Sequence, residues 1–281
     1  MTLSKTQFIQ MIPAVKNADE WYPLIVEYFA KYDINTRERI AGFMAQAGHE
    51  SSDFNSLVEN MNYSWEALRS TFKRYFPTDA MAKQYERKPE MIANRVYDDA
   101  LRINKIGNTQ PGDGWRFIGR GIFQLSGRTN YTNFGKTIGK TAEEAAEYCK
   151  TKRGAVESAC WFWKTRGAAA FADRKDITGL SNAINGGNIG LADRKVRWDR
   201  ALRVLDIPSV NTSPTPTRAL SLGSRGDDVK RVQTAFKFPA RECDGIFGNN
   251  TRQAVLSWQR TNKFTATGTM TIDQQKRLLG I

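Results

Sequence analysis

The chain has 281 residues, 40% of them hydrophobic, enough for one large core and a second, smaller one. Its 42 Lys and Arg against 29 Asp and Glu leave a net charge of +13 and a pI near 9.7. That balance favours anionic partners: nucleic acid, an anionic membrane surface or an acidic cell wall. Cys149, Cys160 and Cys243, few and without Cys-x-x-Cys spacing, argue against a disulfide scaffold or a zinc site and suit a reducing cytoplasm.

The N-terminus lacks a charged start followed by a long apolar stretch, so no cleaved signal peptide is expected. No window reaches the roughly 20 apolar residues of a membrane span. Asn35 followed by Glu38 predicts a helix N-cap with its reciprocal acid. Ile40, Phe43, Met44 and Ala47 then recur at helical spacing, which predicts a buried stripe running up to Glu50. A second carboxylate, Glu59, follows. Two carboxylates near each other are the minimum equipment for breaking a glycosidic bond. Nine residues of unbroken helix would part them by roughly 13 Å on opposite faces. The helix must therefore stop between them, and Ser51, Ser52, Asp53 and Asn55 compete for the backbone in a way that favours the stop. Glu59 should return on a loop or short strand, facing Glu50 across a cleft.

His49 is the only histidine. A zinc-protease motif needs a second His one helical turn on, and position 53 is Asp, so no metal site is expected. His49 reads instead as a partner that orients the turn after it, or as packing against it. Gly107 to Gly121 reads as a long loop. Gly119-Arg-Gly121 is no nucleotide fingerprint, because the third glycine and a βαβ frame are missing. Ala142–Lys150 and Gly154–Thr165 read as helices, with Trp161, Phe162 and Trp163 assigned to the core. Asn185-Gly-Gly-Asn188 reads as a turn.

Residues 208–217 are rich in Pro, Ser and Thr without apolar periodicity, predicting an extended, semi-rigid linker. Beyond it, 218–281 carries 11 basic and 5 acidic residues, a net of +6. Val229, Val232 and Phe236 form one helical face. Asp244-Gly-Ile-Phe-Gly248 gives a turn, then an N-cap candidate, and Ala254, Val255 and Trp258 form a second face. Gly268 to Leu278 repeats the arrangement more weakly. Cys243 reads as a small buried or partly exposed thiol.

Several separated motifs in 1–207 occur in one order: His49-Glu50, Glu59-Asn-Met-Asn-Tyr-Ser64, Gly112 to Tyr131 with its Gln124-Leu-Ser126, and Ile184 to Arg194. Together they resemble the family 19 glycoside hydrolases, a chitinase-like family, and in particular its branch in bacteriophage endolysins. The resemblance implies that Glu50 is the general acid and Glu59 the general base. Ser126 would help hold the attacking water, where many phage members have Thr. Gln124, Asn130 and Asn185 match positions that hydrogen-bond the sugar. The family inverts the anomeric centre, which needs carboxyls roughly 6.5–9.5 Å apart. The acid's pKa should then be raised by burial or by its neighbour. The Asp244-Gly-x-Phe-Gly-x-x-Thr-x-x-Ala-Val255 core of 218–281 resembles the small three-helix peptidoglycan-binding domain.

The chain is therefore expected to be mainly α: a two-lobed, lysozyme-like catalytic domain at 1–207, the linker, and a three-helix binding domain at 218–281. The expected activity is inverting hydrolysis of β-1,4 bonds in bacterial peptidoglycan by an endolysin. It would need no cofactor or metal. It would act as a monomer, without nucleic acid or stable membrane insertion, and would wait in the host cytoplasm until another factor opens the inner membrane. Two rivals remain: a chitinase, and a non-catalytic basic protein binding cell wall or nucleic acid.

Overall fold

The structure, a computed structural model, describes residues 3–206 and 216–279. It is mainly helical, with four isolated antiparallel bridges among the described residues and no longer strands. The chain divides into two compact units, Met1–Ile207 and Pro208–Ile281. The predicted linker at 208–217 lies largely outside the described residues.

The first unit has two hydrophobic cores, which make its two lobes. The larger gathers the helix Arg37–Glu50 with Ala18–Lys31, Lys152–Thr165 and Leu191–Asp206. Ile40, Phe43, Met44 and Ala47 are all buried there, as their spacing predicts. The smaller gathers Leu68, Phe76, Ala82, Ile92 and Val96 from the helices Trp65–Thr71, Asp79–Tyr85 and Pro89–Val96 and the loop between the first two. The chain leaves the larger core after Phe54 and Leu57 and reaches the smaller at Met61; on the way back its residues alternate, Phe117 in the larger, Ile118 in the smaller and Ile122 in the larger again.

Some local details differ from the sequence reading. The cap of Arg37–Glu50 is Thr36, not Asn35: its hydroxyl accepts from the Arg39 N–H at 3.2 Å, so the helix starts one residue later. The Gly107–Gly121 stretch is not all loop. Asp113–Arg116 makes one helical turn, anchored because buried Asp113 pairs with Arg128 at 2.6 Å. The helices near Ala142 and Gly154 span Ala142–Tyr148 and Lys152–Thr165. Trp161, Phe162 and Trp163 are buried.

The second unit packs the helices Asp227–Ala235, Asn249–Thr261 and Ile272–Leu279 around Leu220, Val229, Val232, Phe247, Val255 and Met270. Two buried glutamines fasten its two turns in the same way. Gln233 accepts from the Gly245 N–H at 2.9 Å and donates to Asp244, the Ile246 carbonyl and Thr251. Gln259 accepts from the Gly268 N–H at 3.0 Å and donates to Thr267, the Thr269 carbonyl and Gln274. The weak repeat in the sequence is thus a repeated polar clamp, each amide fully engaged inside a small core. Helix Asn249–Thr261 begins at Gly248 with no side-chain cap. Cys243 is half-buried, and Cys149 and Cys160 are buried.

Candidate active site

Helix Arg37–Glu50 ends at Glu50, where the sequence places the stop. The turn that follows is strained. Ser52, Asp53 and Phe54 have φ of 49°, 60° and 66°, three successive non-glycine residues in the left-handed region. Each costs about 1–2 kcal/mol, so the surroundings must hold them. The Ser51 hydroxyl donates back to the Ala47 carbonyl at 2.6 Å and accepts from the Phe54 N–H at 2.9 Å. The Phe54 ring meets Phe8 and Trp21 edge-on at 5.6 and 5.2 Å. Asp53 pairs with Arg197. Strain held this firmly is characteristic of functional sites.

From that turn the chain crosses toward the smaller core and passes through Glu59. The Glu59 N–H donates to the Gly119 carbonyl at 3.0 Å, and Val58 bridges Arg120 in antiparallel register. Arg120 in turn bridges Leu125. Continuing each register by one residue sets Glu59 opposite Gly119 and Gly119 opposite Ser126. Residues directly opposite in antiparallel pairs share a face, so Glu59 and Ser126 flank a position that carries no side chain. A Cβ at 119 would lie 3.3 Å from Glu59 Oε2 and 3.0 Å from Gln124 Oε1. Glycine keeps this space open.

The two carboxylates meet different electrostatics. Glu59 is half-buried, and burial raises its pKa above the ordinary 4.5. Hydrogen bonds from the Tyr97 hydroxyl at 2.7 Å and the Gly119 N–H at 3.3 Å oppose that rise without cancelling it. Burial first, and then Glu59, pushes the Tyr97 phenol up, so Tyr97 remains a donor. Glu50 instead receives a guanidinium: Arg194, 1% exposed, donates to Glu50 Oε1 at 2.5 Å. Burial dominates at Glu59 over its two hydrogen bonds and the attraction of Arg102.

Arg194 also donates to Gln46 and, at 3.3 Å, to the Ile189 carbonyl. It thereby fastens Glu50 to the segment after Asn185. A second set of polar contacts lies alongside. His49 Nδ1 meets Asp193 Oδ2 at 2.7 Å, and Arg197 bonds the same oxygen at 2.7 Å. Burial pushes Asp193 up, but the bonds from His49 and Arg197 outweigh it and leave its carboxyl below the usual range. Gly190, at φ 72°, lies so close to the imidazole that a Cβ would fall 2.2 Å from it. His49 thus braces the turn end of the helix. Among the described residues, no group of three or more His, Cys, Asp or Glu side chains could hold a metal ion.

The other residues singled out in the sequence are placed as follows. Gln124, at φ 48°, donates to the Gly121 carbonyl at 2.9 Å and sits beside Glu59 across Gly119. Asn130 donates to the Ser126 carbonyl at 2.8 Å, which joins it to the same row. Asn185 is exposed at the end of helix Ile177–Asn185, and Gly186 at φ 74° makes the turn expected there. Among the described residues, no side-chain hydrogen bond ties Asn185 to either glutamate. Sequence reasoning missed Tyr97, Asp193, Arg194 and Arg197. The signals available were the i,i+4 spacing of Asp193 and Arg197 and the Ile184 to Arg194 motif, which contains Asp193 and Arg194.

Comparisons with known proteins agree with this architecture. The chain is 38% identical over 209 residues to a glycosyl hydrolase family 19 domain-containing protein of Haemophilus influenzae, covering 73% of this chain and 98% of that one. Residues 225–278 match the peptidoglycan binding domain family. Among solved structures, a bacterial family 19 chitinase aligns with a TM-score of 0.50 at 20% identity, over 73% of this chain and 95% of that one. Chitinase C from Streptomyces griseus HUT6037 aligns with a TM-score of 0.50 at 17% identity, over 73% of this chain and 77% of that one. At these identities the structural likeness is one of fold.

Proposed function

This chain belongs to glycoside hydrolase family 19, and on that premise we propose that it is an endolysin cutting the β-1,4 glycan strands of bacterial peptidoglycan by inversion. It is a glycosidase with a peptidoglycan binding domain. The observation that carries the mechanism is the row Glu59–Gly119–Ser126. The space over Gly119 suits a water held between a carboxylate and a hydroxyl, so Glu59 is the base and Ser126 the second contact to that water. A pKa raised by burial also makes Glu59 a stronger base once ionised. Glu50, held by Arg194 through Oε1, keeps Oε2 for the proton delivered to the leaving oxygen. Gln124, Asn130 and Asn185 then hold the sugar.

A base that activates water from the opposite face delivers the α-anomer first. Proton NMR early in a digest of a soluble glycan, before mutarotation, reads this directly. A β-anomer appearing first would mean a retaining route and would reassign Glu59 as nucleophile.

The second unit supports peptidoglycan over chitin as substrate, because a tether raises the local concentration of the site near an insoluble polymer. A fragment ending at 207 keeps both lobes' cores and every residue assigned to chemistry. It should cut small soluble fragments at close to the parent rate and whole sacculi at least about tenfold more slowly. The 208–281 piece should pellet with sacculi and release no sugar. Equal rates on sacculi with and without the second unit would remove this argument, and faster cleavage of chitin than of sacculi would favour the chitinase reading. No helix among the described residues is long and apolar enough to cross a membrane. We place the protein in the host cytoplasm before lysis, with access to the wall given by another factor.

A further inference from the structure

A cavity of about 460 Å³ lies beside the proposed catalytic row, lined by Asn130, Asn133, Trp161, Phe162, Thr165 and Arg166. It adjoins the row through Asn130, whose amide donates to the Ser126 carbonyl. Its size is within the range of ligand pockets, and its walls combine aromatic surface with a few polar groups, the usual chemistry of a saccharide subsite. Trp161 and Phe162 are each 8% exposed, so they belong to the core and present only a small part of their surface to the cavity. Asn133 and Thr165 offer an amide and a hydroxyl.

Arg166 does not fit a purely neutral sugar. It follows the last residue of helix Lys152–Thr165, and its backbone N–H closes that helix onto the Phe162 carbonyl. Its exposed guanidinium lies over the Phe162 ring, 4.7 Å from the centroid. That stack accounts for the position of the side chain but not for its charge, since the guanidinium makes no ion pair with any described carboxylate. A planar guanidinium held over an aromatic ring is pre-organised to receive a carboxylate on its donor edge.

We infer that Arg166 reads a carboxylate on the substrate, making this cavity a subsite for the acidic, peptide-bearing sugar of peptidoglycan rather than for a neutral N-acetylglucosamine unit. This rests on the reading of the chain as a peptidoglycan hydrolase and adds the residue by which it tells the two polymers apart. The carboxylate has two sources: the lactyl group of a glycan strand without peptide, or an acidic residue of the peptide stem.

Titration calorimetry in a Glu59→Gln background tests the inference, comparing that protein with the Glu59→Gln/Arg166→Gln pair. Three ligands are needed: peptide-bearing soluble glycan fragments, the same strands stripped of peptide by an amidase, and a chitin oligosaccharide of equal length. The expected result is a loss of affinity about tenfold larger on at least one anionic ligand than on the neutral one. The excess should shrink as salt is raised, because the site is open to solvent. An excess on stripped strands assigns the lactyl carboxylate, and an excess on peptide-bearing strands alone assigns the stem. Arg166→Lys should recover part of it. Equal losses on all three ligands, or no loss on any, overturn the inference. Turnover of the peptide-bearing fragments by the parent enzyme is measured alongside, so a failure of the hydrolase reading shows there without involving Arg166.

Discussion

Glu59→Gln should lose about 10²–10⁴-fold in hydrolytic rate and yet melt at a higher temperature than the parent near neutral pH. The first effect follows from removing the group that takes a proton from water. The second follows from linkage. Burial raises the Glu59 pKa in the folded protein above the ordinary glutamate value of 4.5. Below that ordinary value the carboxyl is protonated in both folded and unfolded chains, and it costs nothing on this account. Between the unfolded and folded values the native state holds more protons than the unfolded one, so stability falls as pH rises. Above the folded value the full cost of a half-buried charge remains. Gln carries no charge and still accepts from Tyr97, so the variant's advantage should be present at pH 7 and vanish below about pH 4. Thermal melts across that range check it. A variant that melts lower than the parent at pH 7 would mean that the Tyr97 and Gly119 bonds outweigh burial. Tyr97→Phe adds a kinetic test of the same balance. It removes a bond that favours the ionised form, so the Glu59 pKa should rise further and the acid limb of kcat/KM should move to higher pH. An unmoved limb would place the titrating base elsewhere.

What was legible in the sequence divides along physical lines. The stop after Glu50 could be read because Ser, Asp and Asn side chains compete for the local backbone, as those of Ser51 and Asn55 do here, and the stripe Ile40–Phe43–Met44–Ala47 because burial leaves a period. The paired turns of the second unit were visible as a weak repeat because each needs glycine at the same point. The Glu50–Arg194 pair spans 144 residues of sequence, and nothing local marks which of many arginines will be buried. Tyr97 reaches Glu59 from 38 residues away by the same kind of long-range packing. Ser126 came from resemblance alone; its place beside Glu59 needs the register of two bridges through Gly119. The misplaced cap at Asn35 reflects a shift of one residue, which composition could not decide because Thr36 is also a good cap.

Glu50→Gln should fall as far in rate as Glu59→Gln on natural glycan, about 10²–10⁴-fold, but the two variants should part in two other respects. The first is stability. Arg194 is buried and spends one of its donors on Glu50. Gln offers an acceptor there but no charge, so the guanidinium keeps its hydrogen bonds to Gln46 and Ile189 and loses its counter-ion. Breaking a buried pair outright costs about 3–5 kcal/mol; with an acceptor retained, a loss of about 1–3 kcal/mol is expected. Glu50→Gln should thus melt below the parent where Glu59→Gln melts above it. The second is the leaving group. A general acid matters only while the departing oxygen needs a proton. An aryl glycoside with a dinitrophenolate leaving group needs none, so Glu50→Gln should recover most of its rate on that substrate while Glu59→Gln, still unable to activate water, should not. Rates of both variants on the aryl glycoside and on soluble glycan decide the matter. If Glu59→Gln is the variant rescued, the roles are reversed, with Glu59 the acid and the Arg194-paired Glu50 the base. If neither is rescued, Glu50 serves the fold through Arg194 and the proton comes from another group.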